Sequence, residues 1–307
     1  MRRRTFIQNL AAGGAGLSVA LKARAFATPA EAGLADFPPL QRFEFDTVSV
    51  DRTGRTVAVS RHQGRYFTQA IDDDVSFDMI AIPAEATAAR TAAGPSPNAI
   101  SRPIYLARTA VTQAQWRAVA RLPRQQRDLD AAPSCFVNDE HPVECISWYE
   151  AEEFCARLAA HTRRAYRLPS EAEWENACRA GSRDPFHYGG TLTSELANYG
   201  AAQTYAAESP GCCRRSTTPV AQFAPNRHGL HDMHGNVWEW CADTWQAGNR
   251  DAGSPSRQPA RPDWRVLRGG SWADAPARLR SASRTGNRAD ALNRIIGLRV
   301  ALSLAPA

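Results

Sequence analysis

The chain has 307 residues, enough for one large domain or two small ones, and an ordinary globular composition that excludes disorder and fibres. Its formal charge of +6 is concentrated: Arg2, Arg3, Arg4, Lys22 and Arg24 supply five of those charges within residues 1–27, which hold no acid. The remainder is near neutral, so charge makes no case for nucleic acid or a membrane surface as partner. Lys22 is the only lysine, which leaves none beyond residue 27 for a Schiff base or a phosphate-binding loop.

In chain order, RRRTFIQ, a Gly- and Ala-rich stretch from Asn9 to Leu21, and small residues at Ala25 and Ala27 predict a twin-arginine signal over 1–27, cleaved after Ala27. The apolar stretch is too short and too rich in glycine for a membrane span, and no cysteine follows it to carry a lipid. The expectation is a periplasmic or cell-surface protein, handled by the twin-arginine export machinery, with no membrane span in the mature chain. Residues 28–42 read as a linker and 43–307 as one domain. The segments 43–50 (FEFDTVSV) and 75–82 (VSFDMIAI) alternate apolar and polar residues as strands do, and the Ala-, Thr-, Pro- and Ser-rich stretch between Pro83 and Pro103 reads as a loop.

Three helices are predicted from their starts. Thr112 with Gln115, Ser147 with Glu150, and Ser170 with Glu173 each fit the reciprocal capping box, and apolar residues at helical spacing follow each one. Beyond Gly181 regular patterning fades, which predicts an α+β fold held largely by loops, with bound ions as one means of holding them.

Seven cysteines occur: Cys135, Cys145, Cys155, Cys178, Cys212, Cys213 and Cys241. The odd count leaves at least one thiol unpaired, no two show C-x-x-C spacing, and Cys155 and Cys178 fall on helical apolar positions. His228, His231 and His234 recur every third residue, but on an irregular loop that spacing does not aim three rings at one point, so packing is expected of them.

The order HPVECISWYEAEEFC (141–155), YRLPSEAEWENACRAG (166–181), PNRHGLHDMHGNVWEWCAD (225–243), RVLRGGSW (265–272) and IGLRV (296–300) resembles the formylglycine-generating enzyme, or sulfatase-modifying factor, family from about Phe43 onward. The resemblance implies a loop-rich variant of the C-type lectin fold. It also implies structural calcium at GNVWEW, where Gly235 allows a tight turn and Asn236 and Glu239 are the candidate ligands. A second calcium site of the family retains Asn198, while its acidic ligand is replaced near Cys212. Formylglycine-generating enzymes bind copper(I) through two cysteines shortly after GGSW; here those positions fall on Asp274 and about Leu279, so copper chemistry is not expected. The ergothioneine-type branch needs an additional N-terminal domain with an iron-binding histidine motif; these 307 residues leave no room for it and do not show the motif, so that chemistry is not expected. A periplasmic branch acting in siderophore maturation keeps an enzymatic reading open.

The tail from Gly269 to Val300 also resembles the variable region of proteins diversified by retroelements. In those proteins fixed positions, matched here by GGSW, Pro276, RSA, Arg284, IG and Arg299, alternate with positions templated by adenine-rich Asn codons. The candidate ligand-binding residues are Trp272, Ala273, Asp274, Ala275, Ser283, Thr285, Asn287, Ala291, Asn293, Arg294 and Ile295, with Gly286 also at a variable position. From Ala273 to Ile295 no Lys, Gln, Glu, Met or Trp occurs, the residues that adenine changes in an AAC codon cannot produce. An ordinary family tail explains the fixed positions equally well. Two functions follow: a binding protein taking an unidentified protein or small ligand on this C-terminal surface, or a periplasmic oxidoreductase or maturation factor of the same family.

Overall fold

Each of the three capping boxes starts a helix: α1 (Gln113–Ala120), α2 (Trp148–Thr162) and α3 (Glu171–Arg179). In every case the Ser or Thr hydroxyl accepts the backbone N–H three residues on, and the Gln or Glu there accepts the N-cap N–H in return. Such a cap is worth about 1 kcal/mol. The computed structural model describes residues 38–84, 102–246 and 261–303, so the predicted export signal and most of the loop after Pro83 lie outside the described residues.

The strands are β1 (Gln41–Val50), β2 (Thr56–Ala70), β3 (Ser76–Ile82), β4 (Ile104–Ala107), β5 (Tyr166–Arg167), β6 (Trp238–Thr244), β7 (Trp264–Arg268), β8 (Arg284–Arg288), β9 (Ile296–Gly297) and β10 (Ala301–Ser303). They form a six-stranded sheet in the order β1-β2-β3-β4-β10-β5 and a four-stranded sheet in the order β8-β7-β6-β9. Strand β10, near the end of the chain, lies between β4 and β5 and so closes the large sheet. No described helix is long and apolar enough to cross a membrane.

Alternation explains how the large sheet is buried on both faces. Phe77, Met79, Tyr105 and Ala107 enter a core with Trp116 of α1 and Phe154 and Leu158 of α2; Ile80, Ile82, Ile104 and Leu106 enter another with Trp174 of α3 and Val266 of β7. Trp116 and Phe154 stack with ring centres 5.2 Å apart. Both predicted strands are present, as β1 and β3. The sequence reading missed β2, the longest strand, because residues 56–65 pair only with β1 as a two-stranded ribbon and carry mostly exposed side chains, with no alternation to read.

From Ser182 to Val237 the described chain holds no helix or named strand. Side chains, rather than regular ladders, take up its backbone groups. Asn226 donates to the carbonyls of Ala177 and Cys178 and accepts from the N–H groups of His228 and Leu230. The Tyr188 hydroxyl donates to the carbonyls of Leu196 and Ala224, and Arg214 reaches those of Ser194 and Ala197. Buried polar groups met in this way make irregular backbone affordable inside a domain.

Candidate functional site

The C-terminal segment folds back over β6, and Trp238 anchors it. The Trp238 indole N–H donates to Asp274 Oδ2 at 2.8 Å, and its backbone N–H donates to the Ile295 carbonyl. Asp274 also accepts from the Ser271 N–H and pairs through its other oxygen with Arg278 at 2.8 Å, whose guanidinium lies over the Trp238 ring. Trp272 donates from its indole to the Arg294 carbonyl, carries the Arg294 guanidinium on its face, and meets Phe136 edge-on at 5.5 Å. The Asn293 side chain caps the Ile295 N–H.

These contacts gather Trp272, Ala273, Asp274, Ala275, Asn293, Arg294 and Ile295 into one ledge. Trp272 is buried, Ala273 and Arg294 are exposed, and the other four are half-buried. The remaining candidates lie elsewhere. Thr285 and Asn287 are on β8, paired with Leu267 and Arg265, with Ser283 just before that strand. Strands β7 and β6 separate them from β9 and the ledge, a distance of about 14 Å at ordinary strand spacing. Ala291 is half-buried in the loop between β8 and β9. Gly286 is not freely variable, since a Cβ there would fall 2.4 Å from the Trp245 ring.

The two copper positions of the resemblance have unlike fates. Asp274 is the carboxylate clasped by Trp238, Ser271 and Arg278, whereas Leu279 is fully buried against Gly235 and Gly270. A carboxylate held by donors and an aliphatic core residue supply none of the soft ligands that copper(I) requires.

Asn236 and Glu239 have separate hydrogen-bond partners. Asn236 sits at φ +63° and its Oδ1 accepts from the Asn198 amide and the Thr218 N–H. Both oxygens of Glu239 accept from Arg299, at 2.8–3.1 Å, and Oε2 also accepts from the Trp174 indole. Glu239 and Arg299 are both buried, so this carboxylate serves an internal ion pair. Neither side chain thus offers an oxygen free of a donor to Ca²⁺, which takes six to eight oxygen ligands. Asn198 Oδ1 is buried without a partner, a single oxygen that sequence reasoning placed in the family's other calcium site. Gly235 makes the expected turn at φ +91°, and a Cβ there would strike the Asn198 carbonyl at 2.3 Å.

The three histidines pack, each into its own surroundings. His231 Nδ1 lies 2.8 Å from the Phe223 carbonyl and His234 Nδ1 2.6 Å from that of Leu279. His234 Nε2 accepts the His187 N–H, so Nδ1 carries the proton. Burial holds His228, His231 and His234 down to about 4, and it pushes Asp232 up to about 6. Sequence reasoning missed Arg278; its signal was the four-residue spacing from Asp274.

Residues 70–304 match the family described as the sulfatase-modifying factor enzyme 1-like domain. Inactive C-alpha-formylglycine-generating enzyme 2 of Mus musculus is 35% identical over 171 residues, which cover 53% of this chain and 50% of that protein. The chain spans about half the length of the curated formylglycine-generating relatives it matches. Among solved structures, Treponema denticola variable protein 1 superposes with a TM-score of 0.58 at 25% identity, covering 77% of this chain and 98% of that one. PvdO from Pseudomonas aeruginosa superposes with a TM-score of 0.59 at 26% identity, covering 77% and 97%.

Proposed function

The chain belongs to the sulfatase-modifying factor enzyme family, and from that premise we propose that it is an exported binding protein whose ligand docks on the ledge around Trp272. The observation that carries this reading is the split within one segment. Asp274 and Trp272 are tied down by Trp238, Ser271 and the Arg294 carbonyl, while the neighbouring Ala273 and Arg294 side chains face solvent. A rigid frame carrying small or polar exposed side chains can change its contacts without changing its core. The likeness to a variable protein supports diversification of these positions, with Thr285 and Asn287 as a separate, outlying set. Export by the twin-arginine route and a periplasmic or cell-surface location are part of the proposal, as is the lack of copper-dependent cysteine oxidation. Calcium held by Asn236 and Glu239 is not.

The test is deep sequencing of the 3′ end of the gene and its flanks across a population of source cells. Substitutions at the exposed Ala273 and Arg294, confined to adenines of a nearby near-repeat, support the proposal. A uniform tail together with oxidation of a cysteine peptide by the copper-supplemented protein would overturn it. A second reading, an exported maturation factor, rests on the equally extensive likeness to PvdO. A uniform tail without copper-dependent oxidation would bring that reading forward.

A further inference from the structure

Beside the ledge, the described residues bring one set of metal-ligating side chains together. Cys135, Glu144 and Cys145 each place one donor atom, two sulfurs and a carboxylate oxygen, within 4.8 Å of one another. The sulfurs are 3.3 Å apart. Glu144 is fully buried; its Oε1 accepts the Phe136 N–H at 2.9 Å, its Oε2 meets no nitrogen or oxygen donor, and the Cys145 thiol is hydrogen-bonded to this carboxylate. A buried carboxylate met by one backbone N–H and a weak thiol donor is under-compensated, and a cation is one group that removes that cost.

The loop holds the three donors in place. Glu144 grips both neighbours of Cys135, donating its N–H to Ser134 Oγ and accepting from Phe136. The Gln113 amide donates to the carbonyls of Phe136 and Pro142 and so ties the two ends of the intervening turn. Cys145 donates its N–H to the Asn293 carbonyl and takes φ +60°, a left-handed backbone that costs a non-glycine residue roughly 1–2 kcal/mol. Ten residues of separation hid this pair from a search for C-x-x-C spacing.

We propose that Cys135, Cys145 and Glu144 form a site for a borderline-soft divalent cation of the zinc class, with solvent completing the coordination where Cys135 is exposed. Two thiolates argue against calcium and magnesium, and the carboxylate argues against copper(I). Zinc–sulfur bonds of about 2.3 Å in a tetrahedron set the sulfurs about 3.8 Å apart, so the thiols part by roughly half an ångström on binding. The step balances as one M²⁺ taken up, two metal–sulfur bonds formed and two thiol protons released to solvent.

The experiment uses the whole exported chain, purified with reductant, stripped with chelator and titrated with Co²⁺ and then Zn²⁺. The expected result is one equivalent of Co²⁺ with a sulfur-to-cobalt absorption band that Zn²⁺ abolishes. Cys135→Ser, at an exposed position, lowers Zn²⁺ affinity by about 100-fold or more, and Glu144→Gln by about 10-fold. Cys212→Ser, also exposed, leaves the band unchanged. The site is overturned if reduced protein shows no such band, or if the band follows Cys212. It is equally overturned if mass spectra of non-reduced protein from the exported compartment show a Cys135–Cys145 disulfide.

Discussion

Within the tail from Gly269 to Val300, two populations of residues alternate and behave in opposite ways. Arg299, buried, reaches Glu239, the carbonyl of Ala107 and that of His231, joining β6, the end of β4 and the irregular loop. Arg284 pairs with Glu171 of α3 and lies over Trp245. Ala273 and Arg294, a few residues away, spend no side-chain hydrogen bond on that frame and stand exposed. One short stretch of chain thus both locks the fold and offers a surface, because its anchoring side chains point inward and its remaining ones do not.

The sharpest way to break this division is to attack the frame. Arg299→Met leaves the Glu239 carboxylate buried beside Trp174 with its ion-pair partner gone. The expected cost is about 3–5 kcal/mol, read from the denaturant midpoint. Combining it with Glu239→Gln costs less than the sum of the two single changes, since no unpaired charge then remains. If Arg299→Met costs under about 1 kcal/mol, the buried pair is not part of the frame.

The second test uses acid. His234 is neutral, with Nδ1–H directed to the Leu279 carbonyl and Nε2 occupied by the His187 N–H, so a second proton has no acceptor. Its folded pKa, about 4, lies below the unfolded value near 6.5, so the unfolded chain binds the proton more readily. Stability is full above pH 6.5 and falls as the pH drops toward 4, by a few kcal/mol at most for this residue. Asp232, raised to about 6, works in the opposite sense: its contribution is present below about pH 4 and is lost as the pH rises through 6. Urea midpoints at pH 7.5, 6 and 5 should fall for the wild type and fall less for His234→Gln. Equal slopes would remove His234 from the account.

A smaller effect is expected at the joint between frame and ledge. Asp274→Ala removes the acceptor of the Trp238 indole and the partner of Arg278, at a cost of about 1–3 kcal/mol. Proteolysis of the 271–280 turn should accelerate in parallel, and an unchanged cleavage rate would show that the turn is held by Leu279 and Gly270 alone.

How much of this division the sequence discloses depends on the range of the interactions. Capping boxes are local: Ser147 and Glu150 are three residues apart, and the helix they begin is present. Strand alternation is legible where one face is buried and the other is not, as in β1, and fails on the ribbon half of β2. The ledge was partly legible, because Trp272 to Ala275 and Asn293 to Ile295 are contiguous runs. That Ser283, Thr285 and Asn287 belong to a different edge depends on the strand order β8-β7-β6-β9, which no spacing encodes. The surroundings of Glu239 were illegible for a similar reason: its partner Arg299 lies 60 residues away and Trp174 lies 65 away. Cys135 and Cys145 meet only because the chain doubles back between them.

The smallest stability effects should fall on the exposed half of the comparison. Ala273→Ser and Ala273→Asn add a polar group where the side chain already meets solvent, so each should stay within about 0.5 kcal/mol of the wild type. Arg294→Ala also gives up its contact with the Trp272 face, worth about 0.5–1 kcal/mol at an exposed site. The Trp272 indole bond to the Arg294 carbonyl is a backbone contact and survives that change, so the ledge keeps its shape. Once a ligand is in hand, these substitutions should shift its affinity by far more than they shift the melting midpoint. An Arg294→Ala variant that lost stability like Arg299→Met would place Arg294 in the frame, and the ledge would then have no freely changeable charge.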